Sequence, residues 1–68
     1  MFPITSCVTC ASAASGVYRL YYQGRWVGEV RTVGNDALRV SHSFTESRRF
    51  VGSLRDAARW LEAIEEAA

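Results

Sequence analysis

Residues 17–44 constrain the fold more than any other part of the chain, because β-forming segments alternate there with turn residues. Residues 17–23 are aromatic and β-branched and stop at Gly24; residues 25–33 and 37–44 follow, separated by the turn "GND" at 34–36. Segments of this composition, bounded by Gly, Asn and Asp, are typical of strands joined by hairpins. The sequence therefore predicts three antiparallel strands.

The hydrophobic pattern also predicts the register of these strands. We expect a three-residue loop ending at Gly24 in the first hairpin and a loop of residues 34–36 in the second, which places Arg31 opposite Arg39 and Gly28 opposite His42. One face of the sheet then faces the core and carries Tyr18, Leu20, Trp26, Val30, Leu38, Val40 and Phe44. The other face is more polar and carries Arg19, Tyr21, Arg25, Val27, Glu29, Arg31, Arg39, Ser41 and Ser43.

The C-terminal residues have the pattern of an amphipathic helix. Ser53 and Asp56 resemble a capping box, and the apolar residues that follow recur at helical spacing: Leu54, Ala57, Trp60, Leu61 and Ile64. The stretch "FVG" at 50–52 is either a short fourth strand or the lead-in to the helix. We therefore expect an α+β fold, a small two-layer domain with a three-stranded, or with "FVG" four-stranded, antiparallel sheet packed against one C-terminal helix.

Residues 1–16 contain no charged side chain and are rich in Ser, Thr and Ala. They lack the basic region and the longer apolar core of a secretory signal. Cys7 and Cys10 form a single C-x-x-C, which is half of the four ligands of a structural zinc site, so a metal or redox role remains only an alternative. We expect residues 1–16 to be a flexible tail, with a short extra strand around residues 4–8 as the alternative, and residues 17–68 to form a single β-β-β-α domain.

The chain offers no set of residues typical of catalysis. His42 is the only histidine, and the pattern brings no Ser, Cys or Asp beside it. There is no phosphate-binding glycine loop, no suitably placed pair of carboxylates and no apolar segment long enough to span a membrane. We expect a cytoplasmic, non-enzymatic protein without metal or cofactor; the sequence leaves its oligomeric state open.

Charge is distributed unevenly along the chain. All eight basic residues are arginines; seven of them lie in residues 17–55 against three acidic residues, a balance of +4, while residues 56–68 have a balance of −3. Arginines that face each other across two strands repel, and an anion over the sheet would relieve this repulsion. Arg and Tyr side chains also contact phosphates and base edges. The sequence predicts a surface that binds nucleic acid or another partner, formed by Arg19, Tyr21, Arg25, Arg31, Arg39 and Arg48. The alternative is a solvated face whose arginine stems cover the sheet.

The stretch "GRWVGEVR" at 24–31, with Phe50 and "DAAR" at 56–59, also carries a resemblance to a known family. Three antiparallel strands and a packed helix with these residues resemble the plant ethylene-response-factor DNA-binding domain and the related arm-binding domains of phage integrases, over residues 18–66. The resemblance implies a sheet in the DNA major groove, with Arg and Trp side chains of its exposed face on the DNA. The matching positions are Arg25, Trp26, Glu29 and Arg31 in the second strand and Phe50, Ala57, Ala58 and Arg59 around the helix start.

Two functional hypotheses follow from these observations. The first is a small non-enzymatic module that binds nucleic acid through the Arg/Tyr-rich sheet face. The second is a phage or bacterial regulator that binds and modulates a host protein, through the same face or by adding a strand to an exposed sheet edge.

Overall fold

The computed structural model describes residues 1–35 and 37–68. In these residues the chain forms six strands and one helix, namely β1 (Phe2–Pro3), β2 (Val8–Ala14), β3 (Val17–Tyr22), β4 (Arg25–Thr32), β5 (Leu38–His42), β6 (Arg48–Val51) and α1 (Leu54–Ala67). Each strand pairs antiparallel with the next, so the sheet is a meander in chain order. The predicted α+β class, with an antiparallel sheet and one C-terminal helix, is confirmed; the sheet has six strands rather than three or four.

The N-terminal residues belong to the sheet. Strand β2 pairs with β3 along its length and places Val8 opposite Tyr22 and Cys10 opposite Leu20. Val8 and Cys10 are fully buried. The prediction that residues 1–16 form a flexible tail outside the domain is therefore wrong. The alternation of Val8 and Cys10 with polar residues is that of a half-buried strand, which the abundance of Ser, Thr and Ala conceals.

The first hairpin has a two-residue turn instead of the expected three-residue loop. Gln23 and Gly24 both have positive φ, 51° and 84°, as a type I′ turn requires. The turn places Tyr22 opposite Arg25, and a β-bulge beyond Leu20 then restores the predicted parity of the pairing. Leu20 lies opposite Gly28, two residues further along β4 than the three-residue loop would place it.

This combination of turn and bulge exchanges the faces of the first residues of β4. Trp26, predicted in the core, lies opposite Tyr21 and is 46% exposed, whereas Val27, predicted outside, is fully buried. Arg25 lies opposite Tyr22 and forms an ion pair with Glu65 of α1, so its predicted place on the outer face is also wrong.

The second hairpin follows the predicted register. Gly28 lies opposite His42 and Arg31 opposite Arg39. Phe44, predicted in the core, lies beyond the end of β5 and is 67% exposed. The stretch "FVG" contributes Phe50 and Val51 to a further strand, β6, which pairs with β5 and forms one edge of the sheet.

Helix α1 packs on one face of the sheet and closes the core. The hydroxyl oxygen of Ser53 accepts a hydrogen bond from the backbone N–H of Asp56 at 3.1 Å, which confirms the predicted N-cap. The fully buried core cluster joins sheet and helix: Val8, Leu20, Val27, Val30, Val40, Ala57, Ala58 and Leu61. Within the described residues, no helix combines the length and the apolar character needed to cross a membrane.

Gly28 allows this close packing of the helix on the sheet. A Cβ at this position would lie 2.6 Å from the Ser41 carbonyl oxygen and 2.8 Å from Leu61 Cδ1. Because the carbonyl belongs to a paired strand, the backbone cannot yield without disturbing the sheet.

We predict that Gly28→Ala lowers the free energy of unfolding by about 1–3 kcal/mol, the usual cost of overpacking a core. Urea denaturation measures this change. Gly52→Ala is the matched control, because its Cβ would meet no atom closer than Asp56 Oδ2 at 3.7 Å, and it should shift stability by less than about 0.5 kcal/mol. Equal effects of the two substitutions would contradict the close-packing account.

Candidate nucleic-acid interface

The sheet surface opposite α1, here called the outer face, is not covered by any other element among the described residues. The register assigns to it Thr9, Ala11, Val17, Arg19, Tyr21, Trp26, Glu29, Arg31, Arg39, Ser41, Arg48 and Phe50. Five of the six predicted binding residues are thus together on this face, namely Arg19, Tyr21, Arg31, Arg39 and Arg48. Its strands carry four arginines and one glutamate.

Three of these arginines line a shallow depression of about 340 Å³ on strands β4 to β6, together with Ser41, His42 and one acidic residue, Glu46 of the loop after β5. Arg31 and Arg39 are direct cross-strand partners, and Arg48 is opposite Ser41, two residues along β5 from Arg39. Directly opposite side chains have Cβ atoms about 5 Å apart and diagonal ones about 7–8 Å apart. Three guanidinium groups can therefore converge on one anion.

Glu29, which the sequence pattern also places on this face, supplies a counter-charge to the arginines. Its Oε2 lies 3.4 Å from Arg31 Nε, and its cross-strand partner on β3 is Arg19. Among residues 1–35 and 37–68, no acidic side chain lies within ion-pairing distance of Arg39 or Arg48.

Aromatic side chains complete the outer face, and two of them were missed by the sequence analysis as outer-face residues. Tyr21 and Trp26 are cross-strand partners at one end of the face. The Trp26 indole Nε1–H donates to the Gly28 carbonyl oxygen at 3.0 Å, which fixes the ring. Phe50 lies opposite Arg39 and is 69% exposed. The sequence feature that could have placed Trp26 on the outer face is the Gln23–Gly24 pair, which forms a two-residue turn and so changes the parity of the pairing.

Arg25 takes part in a different structure, a polar network between the sheet and α1. The Glu65 carboxylate is bound by Arg25 through one oxygen and by His42 Nε2, at 2.7 Å, through the other. Both Glu65 and His42 side chains are more than nine-tenths buried. Arg25 is thereby occupied and is not part of the outer face.

The other ring nitrogen of His42 fixes its tautomer. Nδ1 accepts hydrogen bonds from the backbone N–H groups of Phe44 and Thr45, at 3.2 and 3.1 Å. The ring proton is therefore on Nε2, which donates to Glu65. His42 is thus a packed, hydrogen-bonded side chain that joins the loop after β5 to the helix.

The hydrogen bond from His42, together with the charge and hydrogen bond of Arg25, holds the pKa of Glu65 below its ordinary value, against the burial that would raise it. On the same side, burial and then the Glu66 carboxylate raise the pKa of Tyr22. These groups face α1, so the acidic pole of the molecule lies away from the outer face.

The two cysteines do not lie on the outer face either. Cys10 is fully buried beside Leu20, and this burial raises the pKa of its thiol. Within the part of the chain that the structure describes, no three His, Cys, Asp or Glu side chains are placed to hold a metal ion.

Fold and site together define a class: a small α+β domain in which one helix covers a six-stranded meander and leaves an Arg- and aromatic-rich sheet face exposed. Compared with known protein families, curated proteins and solved structures, the chain has no match.

We predict that Glu65→Gln lowers the free energy of unfolding by about 2 kcal/mol near neutral pH, since it removes a charge-assisted hydrogen bond inside the protein. Because the pKa of Glu65 is lowered on folding, the ionised carboxylate stabilises the native state above its unfolded pKa of about 4.5. This stabilisation is lost as the pH falls through the lower folded pKa. Urea denaturation at several pH values should therefore show the two proteins converging in acid.

Glu66→Gln is the control, because Glu66 is the residue after Glu65 in α1 and is exposed. It should change stability by less than about 0.5 kcal/mol at any of these pH values. A deficit of Glu65→Gln that stays constant down to about pH 3 would contradict the ionisation account.

Proposed function

We propose that this protein is a small, non-enzymatic module that binds nucleic acid through its outer face. The observation that carries the proposal is the convergence of Arg31, Arg39 and Arg48 around one open depression. Planar guanidinium groups bind phosphate oxygens through paired hydrogen bonds, and a chain of phosphates is the polyanion that suits several of them at once.

The distribution of acidic residues supports the same surface. Glu62, Glu65 and Glu66 lie on the C-terminal half of α1, on the other side of the sheet. These carboxylates disfavour a polyanion on that side relative to the outer face, whose strands carry four arginines and one glutamate. A net charge of +1 is therefore compatible with binding, because the field of one face, rather than the total charge, meets the ligand.

We predict that Arg31→Gln with Arg39→Gln weakens oligonucleotide binding by at least about tenfold and reduces the slope of log K against log salt by about 0.7–0.9 per lost phosphate contact. Fluorescence anisotropy at several salt concentrations measures both quantities. Arg55→Gln with Arg59→Gln is the charge-matched control, because both arginines are exposed on α1, and it should leave affinity and slope nearly unchanged. A flat salt response, no binding at low salt, or equal losses in both double variants would overturn the proposal.

The same substitution gives an independent prediction for folding. Arg31 and Arg39 are like charges in direct cross-strand contact positions, which destabilises a sheet by about 0.2–1 kcal/mol. The Arg31→Gln, Arg39→Gln protein should therefore unfold at the same or a higher urea concentration than the wild type. If this variant binds the oligonucleotide more weakly but is no less stable than the wild type, it has lost a binding surface rather than its fold. A marked decrease in its free energy of unfolding would contradict the repulsion between Arg31 and Arg39.

A second candidate function, binding of an extended protein segment, is favoured by the edge strand β6. A groove of about 490 Å³ runs between this edge and α1, and its lining includes Arg49, Phe50, Val51, Asp56, Arg59 and Trp60. An unpaired strand edge accepts another strand, and the two arginines suit a peptide that carries acidic side chains.

Chemical-shift mapping with an acidic peptide and with an oligonucleotide distinguishes the two candidates. Peptide binding is expected to move the resonances of β6 and of Trp60 and to be abolished by Arg49→Glu but not by Arg55→Glu. If the peptide shifts no resonance of the groove while the oligonucleotide shifts those of the outer face, the second candidate is discarded.

A further inference from the structure

The width of the sheet restricts the kind of nucleic acid that fits the outer face. Neighbouring strands lie about 4.8 Å apart, so the five longer strands β2 to β6 span about 19 Å before side chains are counted. The major groove of B-DNA is about 12 Å wide and admits an α-helix or a two-stranded ribbon. The outer face is therefore too wide to enter the groove of a duplex, unlike the three-stranded sheet that the sequence led us to expect.

The exposed aromatic rings point to unpaired bases. Trp26 and Phe50 are 46% and 69% exposed on the outer face, and Tyr21 lies beside Trp26. In a duplex the faces of the bases are covered by their neighbours, so these rings would meet only sugars and phosphates. In a single strand the base faces are open, and stacking on aromatic side chains is the usual mode of binding.

The arginines flank the path between the aromatic positions, which crosses the row of Glu29, Ser41 and Arg48 before it reaches the row of Arg31, Arg39 and Phe50. From the Tyr21–Trp26 pair the sheet passes to Arg19 and then to Arg31 and Arg39, beside which Phe50 is found. With about 3.3 Å per residue along a strand and about 4.8 Å between strands, Trp26 and Phe50 are roughly 16 Å apart. This is several times the stacked spacing of adjacent bases, about 3.4 Å, so the two rings would hold non-adjacent bases of one strand.

We propose that the outer face binds single-stranded nucleic acid, with Trp26, Tyr21 and Phe50 stacking on unpaired bases and Arg31, Arg39 and Arg48 holding the phosphates between them. This inference rests on the proposed function and adds to it the class of ligand and the residues that select it. A second copy of this chain is a poor occupant of the same face, because pairing two such faces would bring eight arginines together against two glutamates. The sugar is not selected by stacking, so DNA and RNA single strands share this chemistry.

The test compares labelled strands of about 12 nucleotides, long enough to cover one small domain. Poly-deoxythymidine and polyuridine of this length are titrated beside a duplex of mixed sequence, at the same low salt concentration. We expect at least one single strand to bind about tenfold or more tightly than the duplex, with the stronger of the two identifying DNA or RNA. A duplex that binds as tightly as both single strands overturns the inference while leaving nucleic-acid binding intact. No binding of any strand overturns the proposed function as well.

Phe50→Ala tests the stacking role against a matched control. Phe44 is 67% exposed, nearly the same as Phe50, but it lies in the loop after β5 with Arg25 over its ring. Phe50→Ala should weaken single-strand binding by about fivefold or more, the range measured for loss of one stacked base, and Phe44→Ala by less than about twofold. Circular dichroism checks that both variants fold. Equal effects of the two substitutions, or no effect of either, would overturn the role of Phe50.

Tryptophan fluorescence reports stacking on Trp26 directly, so the result does not depend on how a substitution changes protein stability. The chain has two tryptophans, and Trp60 lies in the helix on the other side of the sheet. In Trp60→Phe the emission comes from Trp26 alone, and stacking on a base should quench it as single strand is added. In Trp26→Phe the remaining Trp60 should not respond. An unchanged Trp26 emission at saturating single strand, or a response confined to Trp60, would overturn the inference.

Discussion

The contact of Gly28 with Leu61 and with the Ser41 carbonyl is the constraint on which the rest of the structure depends. It brings α1 against the middle of the sheet, where Val30 and Val40 complete the core. The bulge lies between the Tyr21–Trp26 and Leu20–Gly28 pairs. It places Val27 in the core and Trp26 on the outer face. One glycine and one bulge thus determine both how the protein is held together and which side chains it presents to solvent.

The same local geometry separates the charges of strands β3 to β5. Arg25 is turned toward α1, where it pairs with the Glu65 carboxylate, which also accepts a hydrogen bond from His42. The buried carboxylate of Glu65 needs these partners because burial alone would cost several kcal/mol. Arg31 and Arg39 remain on the outer face, where Glu29 is the one acid on the strands of that face. On the helix side the carboxylates of α1 offset the arginines, whereas the strands of the outer face carry four arginines and one glutamate.

Much of this arrangement could be predicted from the sequence, because it depends on periodicity. The spacing from Leu54 to Leu61 predicts the helix, Ser53 predicts its cap, and the loop of the second hairpin predicts the pairing of Arg31 with Arg39. The faces of Arg25, Trp26 and Val27 could not be obtained in the same way. A two-residue turn reverses the parity of the pairing and a bulge reverses it again, and parity alone does not show that both occur.

The N-terminal strands were missed for a different reason. Val8 and Cys10 are the only fully buried residues of a segment whose composition is otherwise polar or small, so that it resembles a tail. In the sheet, β2 pairs with the edge of β3 away from β4, and Val8 and Cys10 extend the buried face of the sheet in that direction. In a chain this short, in which only about 60% of the unfolded surface is buried on folding, such additional coverage is a substantial share of the stabilising area.

A small domain that is only just stable rarely keeps a destabilising feature without a compensating gain. The outer face has two such features, since Arg31 is opposed by Arg39 and the Phe50 ring is left in water beside them. Each feature alone is found on ordinary protein surfaces. The proposed ligand would account for their combination, because its phosphates would neutralise the arginines and one of its bases would cover the ring. The unfavourable free energy that the face contributes to the unbound protein would then be recovered as binding free energy.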